Sequence, residues 1–285
     1  MRRIAAILSI TFSSFAMAES SVWKVSHGSS YFYLAGTVHV LRATDFPLPP
    51  QFDRAYDDAD KLAFETDIGV LMNPVTQVML MKQLAQPQGR TLQQQLSPDT
   101  WAELSQRAAA FGLPDAQLQG MSVAGVFSVM LALELRKMGA SETGVDQHYY
   151  GKAYRDQKPR LSLESVQEQL KFFSEMGKGY EDEFIRQMLA DLDRTSAMMV
   201  ELIDAWRTGD QRIMKQYAVD DMKRDYPQMY QQMLVDRNNN WMKHIDDWAE
   251  TPEVELILVG AAHLVGPDGL LEQLKSSGMM IEQLP

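Results

Sequence analysis

Residues 255–263 read Glu255-Leu256-Ile257-Leu258-Val259-Gly260-Ala261-Ala262-His263, and the apolar part of this stretch is the strongest strand candidate in the chain. A short continuous apolar run that ends at a glycine is typical of a strand buried on both faces of a sheet. A second stretch has the same ending, because Tyr33-Leu34-Ala35 is followed by Gly36-Thr37-Val38-His39. Each copy therefore places a glycine, two further residues and a histidine directly after an apolar strand.

Other strand candidates occur at residues 21–26, 61–64 and 160–163, and residues 28–30 form a turn that makes the first of them part of a hairpin. Helical patterns separate most of these strands, including an apolar stretch at 121–135 and an amphipathic one at 184–206. This alternation predicts an α/β fold with a mainly parallel sheet flanked by helices. Core strands lie near both ends of the sequence, so we expect residues 19–285 to form one domain that carries a large helical insertion.

The composition excludes several classes of function. The chain has 285 residues, of which 45% are hydrophobic and 23% are charged, as in ordinary globular proteins. It carries 27 Lys and Arg against 38 Asp and Glu, a net charge of −11, and has no basic block. Nucleic acid and anionic lipid are therefore not expected as partners. With no cysteine, the chain has no disulfide, thiolate nucleophile or cysteine-ligated metal.

The first 18 residues have the three parts of a secretory signal peptide. Arg2 and Arg3 precede an apolar run at residues 4–15, and the segment closes on Ala16-Met17-Ala18. The apolar run is too short to span a membrane. We expect cleavage after Ala18, export to the periplasm, and no stable membrane anchor in the mature chain.

Four strand candidates end in residues that can carry chemistry. His39 and His263 follow two of the strands, and Glu65 and Glu164 directly follow the apolar runs at 61–64 and 160–163. Side chains at the carboxyl ends of parallel strands converge in the crevice where open α/β sheets bind ligands. Two imidazoles and two carboxylates can hold a divalent metal or act as general acids and bases. The pattern alone does not choose between these roles.

The helix predicted after Pro227 has polar residues in the middle of its apolar face. Helical spacing places Arg237 and Asn238 on the same face as its apolar residues Met229, Met233, Leu234, Trp241, Ile245 and Trp248. A buried guanidinium is costly unless it is paired. We therefore expect Arg237 to contact a carboxylate or to line a water-filled cavity.

Two other features receive a structural interpretation. Asp146, in Gly144-Val145-Asp146, is interpreted as the N-cap of a helix that begins at Gln147. The 19 methionines are interpreted as core residues because many of them fall at helical spacing.

The order of these short motifs resembles the TraB/GumN family, which includes the animal Tiki proteins. The motifs that carry the resemblance are Tyr33-Leu34-Ala35-Gly36-Thr37-Val38-His39, Phe64-Glu65-Thr66-Asp67, Gly144-Val145-Asp146, Leu163-Glu164, Arg237-Asn238 and Val259-Gly260-Ala261-Ala262-His263-Leu264. Together they extend over essentially the whole chain that follows the signal peptide.

The resemblance implies an α/β fold like that of erythromycin-esterase-like and ChaN-like proteins. For the Tiki branch it also implies metal-dependent proteolysis of secreted substrates. The leading hypothesis is a periplasmic metal-dependent hydrolase, most simply a peptidase acting on a peptide or protein. His39, His263 and Glu65 would hold Mn²⁺, Co²⁺ or Zn²⁺, and Glu164 would be the general base. Arg237, with Asn238 beside it, would stabilise the oxyanion or hold a carboxylate in place.

Two alternatives remain open at this point. The first is a metal-free, esterase-like hydrolase with His39 or His263 as the base. The second is a periplasmic protein without catalytic activity that binds haem, a metal or a peptide. The sequence leaves the substrate and the oligomeric state open.

Overall fold

A six-stranded sheet forms the centre of the protein in the computed structural model, which describes residues 19–140 and 143–285. Residues 1–18, where the signal peptide is predicted, lie outside the described residues. The strands are β1 (Val22–His27), β2 (Ser30–Thr37), β3 (Lys61–Phe64), β4 (Arg160–Ser162), β5 (Glu255–Gly260) and β6 (Met280–Gln283). Their order is β4-β3-β5-β2-β1-β6. The four strands from β4 to β2 run parallel, and β1 is antiparallel to both of its neighbours.

Helices cover the sheet and form most of the remaining chain. They are α1 (Pro50–Asp58), α2 (Ile68–Leu71), α3 (Pro74–Gln83), α4 (Pro98–Ala110), α5 (Asp115–Gln119), α6 (Val123–Lys137), α7 (Val145–Arg155), α8 (Val166–Glu175), α9 (Glu181–Thr208), α10 (Gln211–Lys215), α11 (Asp221–Asp225), α12 (Pro227–Tyr230), α13 (Asp236–Ala249) and α14 (Leu270–Ser276). The large helical region lies between β3 and β5, where only the short β4 interrupts it. This α/β architecture confirms the predicted fold class.

The burial of each strand agrees with its position in the sheet. Residues 256–259 of β5 are fully buried, as an apolar strand with parallel neighbours on both sides should be. The short β4 lies at the sheet edge and exposes Arg160 and Ser162. At the other edge, β6 pairs with β1 along the register Trp23↔Gln283. This strand is not among those expected from the sequence, because a stretch of only four residues gives a weak strand signal.

A separate apolar core lies inside the helical region. It is formed mainly by α4, α6 and the first half of α9, through residues such as Leu104, Met130 and Leu189. Ser97 caps α4 in front of Pro98, as its sequence predicts, and Gly209 ends α9 with a φ of 66°. Within residues 19–140 and 143–285, no helix combines the length and the apolar character needed to cross a membrane.

The helix predicted after Pro227 is not one regular α-helix. A π-helical segment, Gln231–Val235, separates α12 from α13. A second π-helical segment, Gln216–Asp220, lies between α10 and α11. Each π turn holds an extra residue and changes the direction in which the following side chains point, and such segments occur frequently near functional sites. The Gln231–Val235 segment ends two residues before Arg237.

Candidate active site around Arg237

The two histidines and Glu65 converge around Gly260, at the carboxyl end of β5. Thr37 of β2 pairs with Gly260, which brings the two repeated motifs side by side. The backbone N–H of Gly260 donates to Oε1 of Glu65 at 2.7 Å. A Cβ atom placed on Gly260 would lie 3.6 Å from Cδ2 of His263 and 3.7 Å from Nε2 of His39. Residues that are more than two hundred positions apart therefore share one rim of the sheet.

The glycines of the two motifs allow close approach between neighbouring groups. Gly260 has a φ of −51°, and Gly36 is not among the described glycines with positive φ. Neither glycine therefore serves a left-handed turn, and both are explained by the close approach of neighbouring atoms. A Cβ on Gly36 would lie 3.0 Å from the Leu264 side chain and 3.3 Å from Cα of Ala261, so the first motif packs tightly against the turn that follows the second.

Arg237 lies at the centre of the site and joins its acidic residues. Its Nη2 donates to Oε2 of Glu65 and to Oε1 of Glu164, both at 2.7 Å. Its Nε donates to the second oxygen of Glu164 at 3.0 Å, and its Nη1 lies 3.1 Å from Nε2 of His263. The guanidinium is also 4.6 Å from the Trp241 ring centroid. With only 13% of its side chain exposed, Arg237 is buried and paired, as its position on an apolar helix face predicts.

The pKa values of the two glutamates on this guanidinium are shifted in opposite directions. Burial raises the pKa of Glu65, but the charge of Arg237, the two histidines and the Gly260 N–H together outweigh burial and hold the pKa well below its usual range. Burial also acts on Glu164, and there it outweighs Arg237, so that the pKa of Glu164 is raised. The backbone N–H of Glu164 donates to the carbonyl oxygen of Glu65 at 2.9 Å, which keeps the two residues adjacent beyond the strand ends.

His263 is buried and neutral. Burial, followed by the charge of Arg237, lowers the pKa of His263 to about 3. A guanidinium can only donate, so Nε2 of the neutral ring accepts from Arg237. The proton is then on Nδ1, which donates to Oδ1 of Asn238 at 2.7 Å. The Asn238 amide nitrogen donates to the carbonyl oxygens of His263 and Asp268, which fixes the orientation of the amide.

His39 is the accessible imidazole of the site. Its Nδ1 donates to Oδ2 of Asp146 at 2.8 Å, and the Thr37 hydroxyl donates to the other oxygen of the same carboxylate at 2.7 Å. The charge of Asp146 raises the pKa of His39 to about 9, although burial opposes this. The His39 side chain is 63% exposed and that of Asp146 only 12%. His39 is therefore an imidazolium at neutral pH.

The partner of His39 was missed by the sequence interpretation, which assigned Asp146 as an N-cap. Gly144 is the N-cap residue of α7, and Asp146 is in the first turn of the helix. A Cβ on Gly144 would lie 2.3 Å from the carbonyl carbon of His39, so only glycine allows α7 to approach β2 this closely. The N–H of Val145 donates to the carbonyl oxygen of Val38 at 3.1 Å. The signal available in the sequence was the Gly144-Val145-Asp146 motif itself.

An open groove of about 770 Å³ ends at this cluster. Its walls come from α8 on one side and from residues 232–244 on the other, and Glu164, Arg237 and Trp241 line its end. This volume is within the range of sites that bind small molecules or peptide segments. Glu164 and Arg237 therefore border a space that can hold a ligand, and His39, Glu65 and His263 are not among the residues that line it.

The expected metal set does not fit this arrangement of side chains. Among residues 19–140 and 143–285, no three His, Asp or Glu side chains are grouped in a way that could hold a metal ion. Arg237 donates to Nε2 of His263 and to Oε2 of Glu65, which are two of the expected ligand atoms. A metal bound by His39, Glu65 and His263 would therefore require the guanidinium to move.

The sequence matches the model of the TraB/PrgY/gumN family over residues 21–283. The chain belongs to this family. The match covers nearly the whole chain and confirms the resemblance noted from the motifs. No curated protein and no solved structure matches the chain at a significant level of similarity.

This member of the TraB/PrgY/gumN family brings together every residue that the sequence placed in the site. These are His39, Glu65, Glu164, Arg237, Asn238 and His263. The residues that sequence reasoning did not assign to the site are Asp146, Thr37 and Trp241, whose Nε1 donates to Glu164 at 3.2 Å.

Proposed function

We propose that the protein is a hydrolase that cleaves peptides by general acid–base catalysis. The observation that carries this proposal is the cluster beside the groove. In it, His39, an exposed imidazolium, lies near Glu65 around Gly260, and Glu65 shares the Arg237 guanidinium with Glu164, a carboxylate of raised pKa that lines the groove. Acid and base roles are commonly assigned where the environment moves the pKa values of neighbouring groups apart.

Glu164 is the better of the two glutamates as a general base. A base is most effective when its pKa is close to the working pH, and the pKa of Glu164 is raised whereas that of Glu65 is lowered. Arg237 and Trp241 use three of the lone-pair positions of Glu164, two of them on Oε2. Oε1 keeps one position on which it can accept a proton from water.

His39 is suited to be the general acid. Its Nδ1 is held by Asp146, and its Nε2 carries a proton that can be donated to a leaving group. A departing amine needs this proton more than a departing alcohol does, so the arrangement favours amide over ester substrates. The family resemblance to peptidases of the Tiki branch supports the same choice.

Arg237 positions other groups in this scheme and does not bind the oxyanion. Its N–H groups are directed at Glu65, Glu164, His263 and the carbonyl oxygen of Met233. A guanidinium has five N–H donors, and these contacts account for all of them. Of the two roles considered from the sequence, the geometry supports the holding of a carboxylate in place.

We place this activity in the periplasm on the basis of residues 1–18. Mass spectrometry of protein recovered from the periplasm should find a mature chain that begins at Glu19. Recovery of the full-length chain from the cytoplasm alone would contradict this location and leave the proposed chemistry untouched.

The test is hydrolysis of a panel of internally quenched peptides by the wild type and three variants. We expect Glu164→Gln and His39→Gln to lower kcat at least about a hundredfold, since each removes a proton-transfer group. His27→Gln is the control, because His27 is also a partly exposed histidine paired with a carboxylate, Glu250, but it pairs with Ser30 at the start of β2, the end of the strand opposite to His39. Full activity in Glu164→Gln, or no cleavage by the wild type, would overturn the proposal.

A metal-dependent hydrolase is the second candidate. It is favoured by the 3.9 Å separation between Nε2 of His263 and Oε1 of Glu65, and by the position of His39 beside the same glycine. Elemental analysis of the wild type, His39→Ala and His263→Ala distinguishes the two candidates. Stoichiometric Mn, Co or Zn that is lost in both variants would support the metal-dependent form, whereas cleavage that persists after chelation would support the metal-free form.

A further inference from the structure

The groove that ends at Glu164 has charged side chains on both walls. The α8 wall contributes Glu168, Lys171 and Glu175, and the opposite wall contributes Asp236 and Lys243. The chain as a whole carries a net charge of −11, so lysines that face each other across a groove are not what the composition predicts. The acidic and the basic groups of the groove differ in the partners they have within the protein.

The acidic groups already have partners inside the protein. Glu168 accepts from the backbone N–H and the hydroxyl of Ser165, both at 2.7 Å, and its charge lies at the N-terminus of α8, where the helix dipole favours it. The other pairs are Glu175 with Lys178, Asp236 with Gln231, and Glu164 with Arg237 and Trp241. Each of these carboxylates is therefore already paired within the protein.

The two lysines have no such partners. Neither Lys171 nor Lys243 makes an ion pair or a side-chain hydrogen bond within the part of the chain that the structure describes, and both are exposed. His244 lines the same groove and only stacks on Trp248, with ring centroids 6.1 Å apart. Two ammonium groups with free donors therefore line the groove on opposite walls, and Phe172 adds an apolar side chain to the α8 wall.

We propose that this groove binds an acidic segment of the peptide substrate, with Lys171 and Lys243 pairing with Asp or Glu side chains near the bond that is cleaved. This inference rests on the proposed function, because it names the class of substrate for that site. Ammonium groups pair with carboxylates, and opposite charges on the two partners increase both association rate and specificity. A neutral or basic peptide would leave both lysines without partners.

The test measures binding separately from cleavage. The probes are a fluorescein-labelled octapeptide of alternating Glu and Ala and the same peptide with Gln in place of Glu. Fluorescence anisotropy is measured in the His39→Gln background, which leaves every residue of the groove in place. Lys171→Glu/Lys243→Glu is compared with Lys82→Glu/Lys275→Glu, a double variant on α3 and α14 that changes the net charge equally but lies outside the groove.

We expect the wild-type groove to bind the Glu peptide more tightly than the Gln peptide at low ionic strength. The groove variant should lose about tenfold in affinity for the Glu peptide, an effect that salt should suppress, and the control variant should change little. Equal binding of the two peptides, or equal losses in the two variants, would overturn the inference.

The outcomes also separate this inference from the proposed function. If the Glu peptide binds through the lysines but no peptide is cleaved, the hydrolase proposal fails and the groove assignment stands. If peptides are cleaved and the groove variant shows an unchanged preference between Glu and Gln substrates, the groove assignment fails and the hydrolase proposal stands.

Discussion

The two Gly-x-x-His motifs follow neighbouring strands, and yet their histidines differ in both exposure and protonation. His39 is 63% exposed, pairs with Asp146 and has a pKa raised to about 9. His263 is 5% exposed, accepts from Arg237 and has a pKa lowered to about 3. The same short motif therefore places one imidazolium and one neutral imidazole at the same edge of the sheet.

The difference arises from the partner that each ring meets and not from the strand that carries it. A carboxylate faces Nδ1 of His39, whereas an amide faces Nδ1 of His263 and a guanidinium faces its Nε2. Opposite charge favours the protonated ring, and like charge together with burial disfavours it. The motif determines where an imidazole lies, and the helices packed against the sheet determine its protonation.

The largest effect is expected from removing the guanidinium of Arg237, the cation that donates to His263. Arg237→Met would leave Glu65 and Glu164 buried without their counter-ion, at a cost of about 3–5 kcal/mol in the free energy of unfolding. Urea denaturation measures this cost. Adding Glu65→Gln and Glu164→Gln to the same variant should recover much of the stability, since the uncompensated charges are then gone. An Arg237→Met protein as stable as the wild type would show that the guanidinium does not hold the site together.

Lowering the pH should reduce the free energy of unfolding through His263, and raising the pH should reduce it through His39. The folded pKa of His263 is about 3, below the unfolded value of about 6.5, so the unfolded state binds more protons as the pH falls from 6.5 towards 3. Stability is lost in that window, on the order of 4 kcal/mol. The folded pKa of His39 is about 9, so its smaller contribution is present below pH 6.5 and is lost as the pH rises towards 9.

Unfolding free energies measured from pH 4 to 9 in the wild type, His263→Asn and His39→Asn test this assignment. The acid slope should decrease only in His263→Asn, and the alkaline slope only in His39→Asn. Identical slopes in the two variants would remove the distinction between the histidines.

The same two residues show which features of the site can be predicted from the sequence. Their convergence was predictable, because the apolar runs before Gly36 and Gly260 mark parallel strands whose carboxyl ends meet at one edge. Their protonation was not, because Asp146 lies 107 positions from His39 and its contact depends on the packing of α7 against β2. The position of Arg237 on an apolar face predicted its pairing, but the π turn before it is not visible in helical periodicity.

Alanine substitutions at the two motif glycines should differ by a smaller amount in their effect on stability. Gly36→Ala places a Cβ 3.0 Å from the Leu264 side chain and 3.3 Å from backbone of the neighbouring turn, and should cost about 1–3 kcal/mol. In Gly260→Ala the nearest atom is Oε1 of Glu65 at 3.2 Å, so a small shift of that carboxylate is enough and the cost should be about 1 kcal/mol or less. Thermal denaturation ranks the two variants. If Gly260→Ala were the less stable variant, the Glu65 carboxylate beside Gly260 would be held more rigidly than the turn that packs against Gly36.

Exchanging the polar partners should make the two histidines more alike, and this is the smallest and most specific effect. Asp146→Asn removes the charge that raises the pKa of His39, which should fall by about one unit or more towards 6.5. Asn238→Asp places a carboxylate at Nδ1 of His263 and should raise its pKa, although Arg237 still opposes protonation at Nε2. Long-range ¹H–¹⁵N correlation spectra of the imidazoles report both pKa values and both tautomers. If the pKa of His39 stays near 9 in Asp146→Asn, then Glu65, the next carboxylate that acts on the ring, is its dominant partner, and the contrast between the two histidines could no longer be attributed to Asp146.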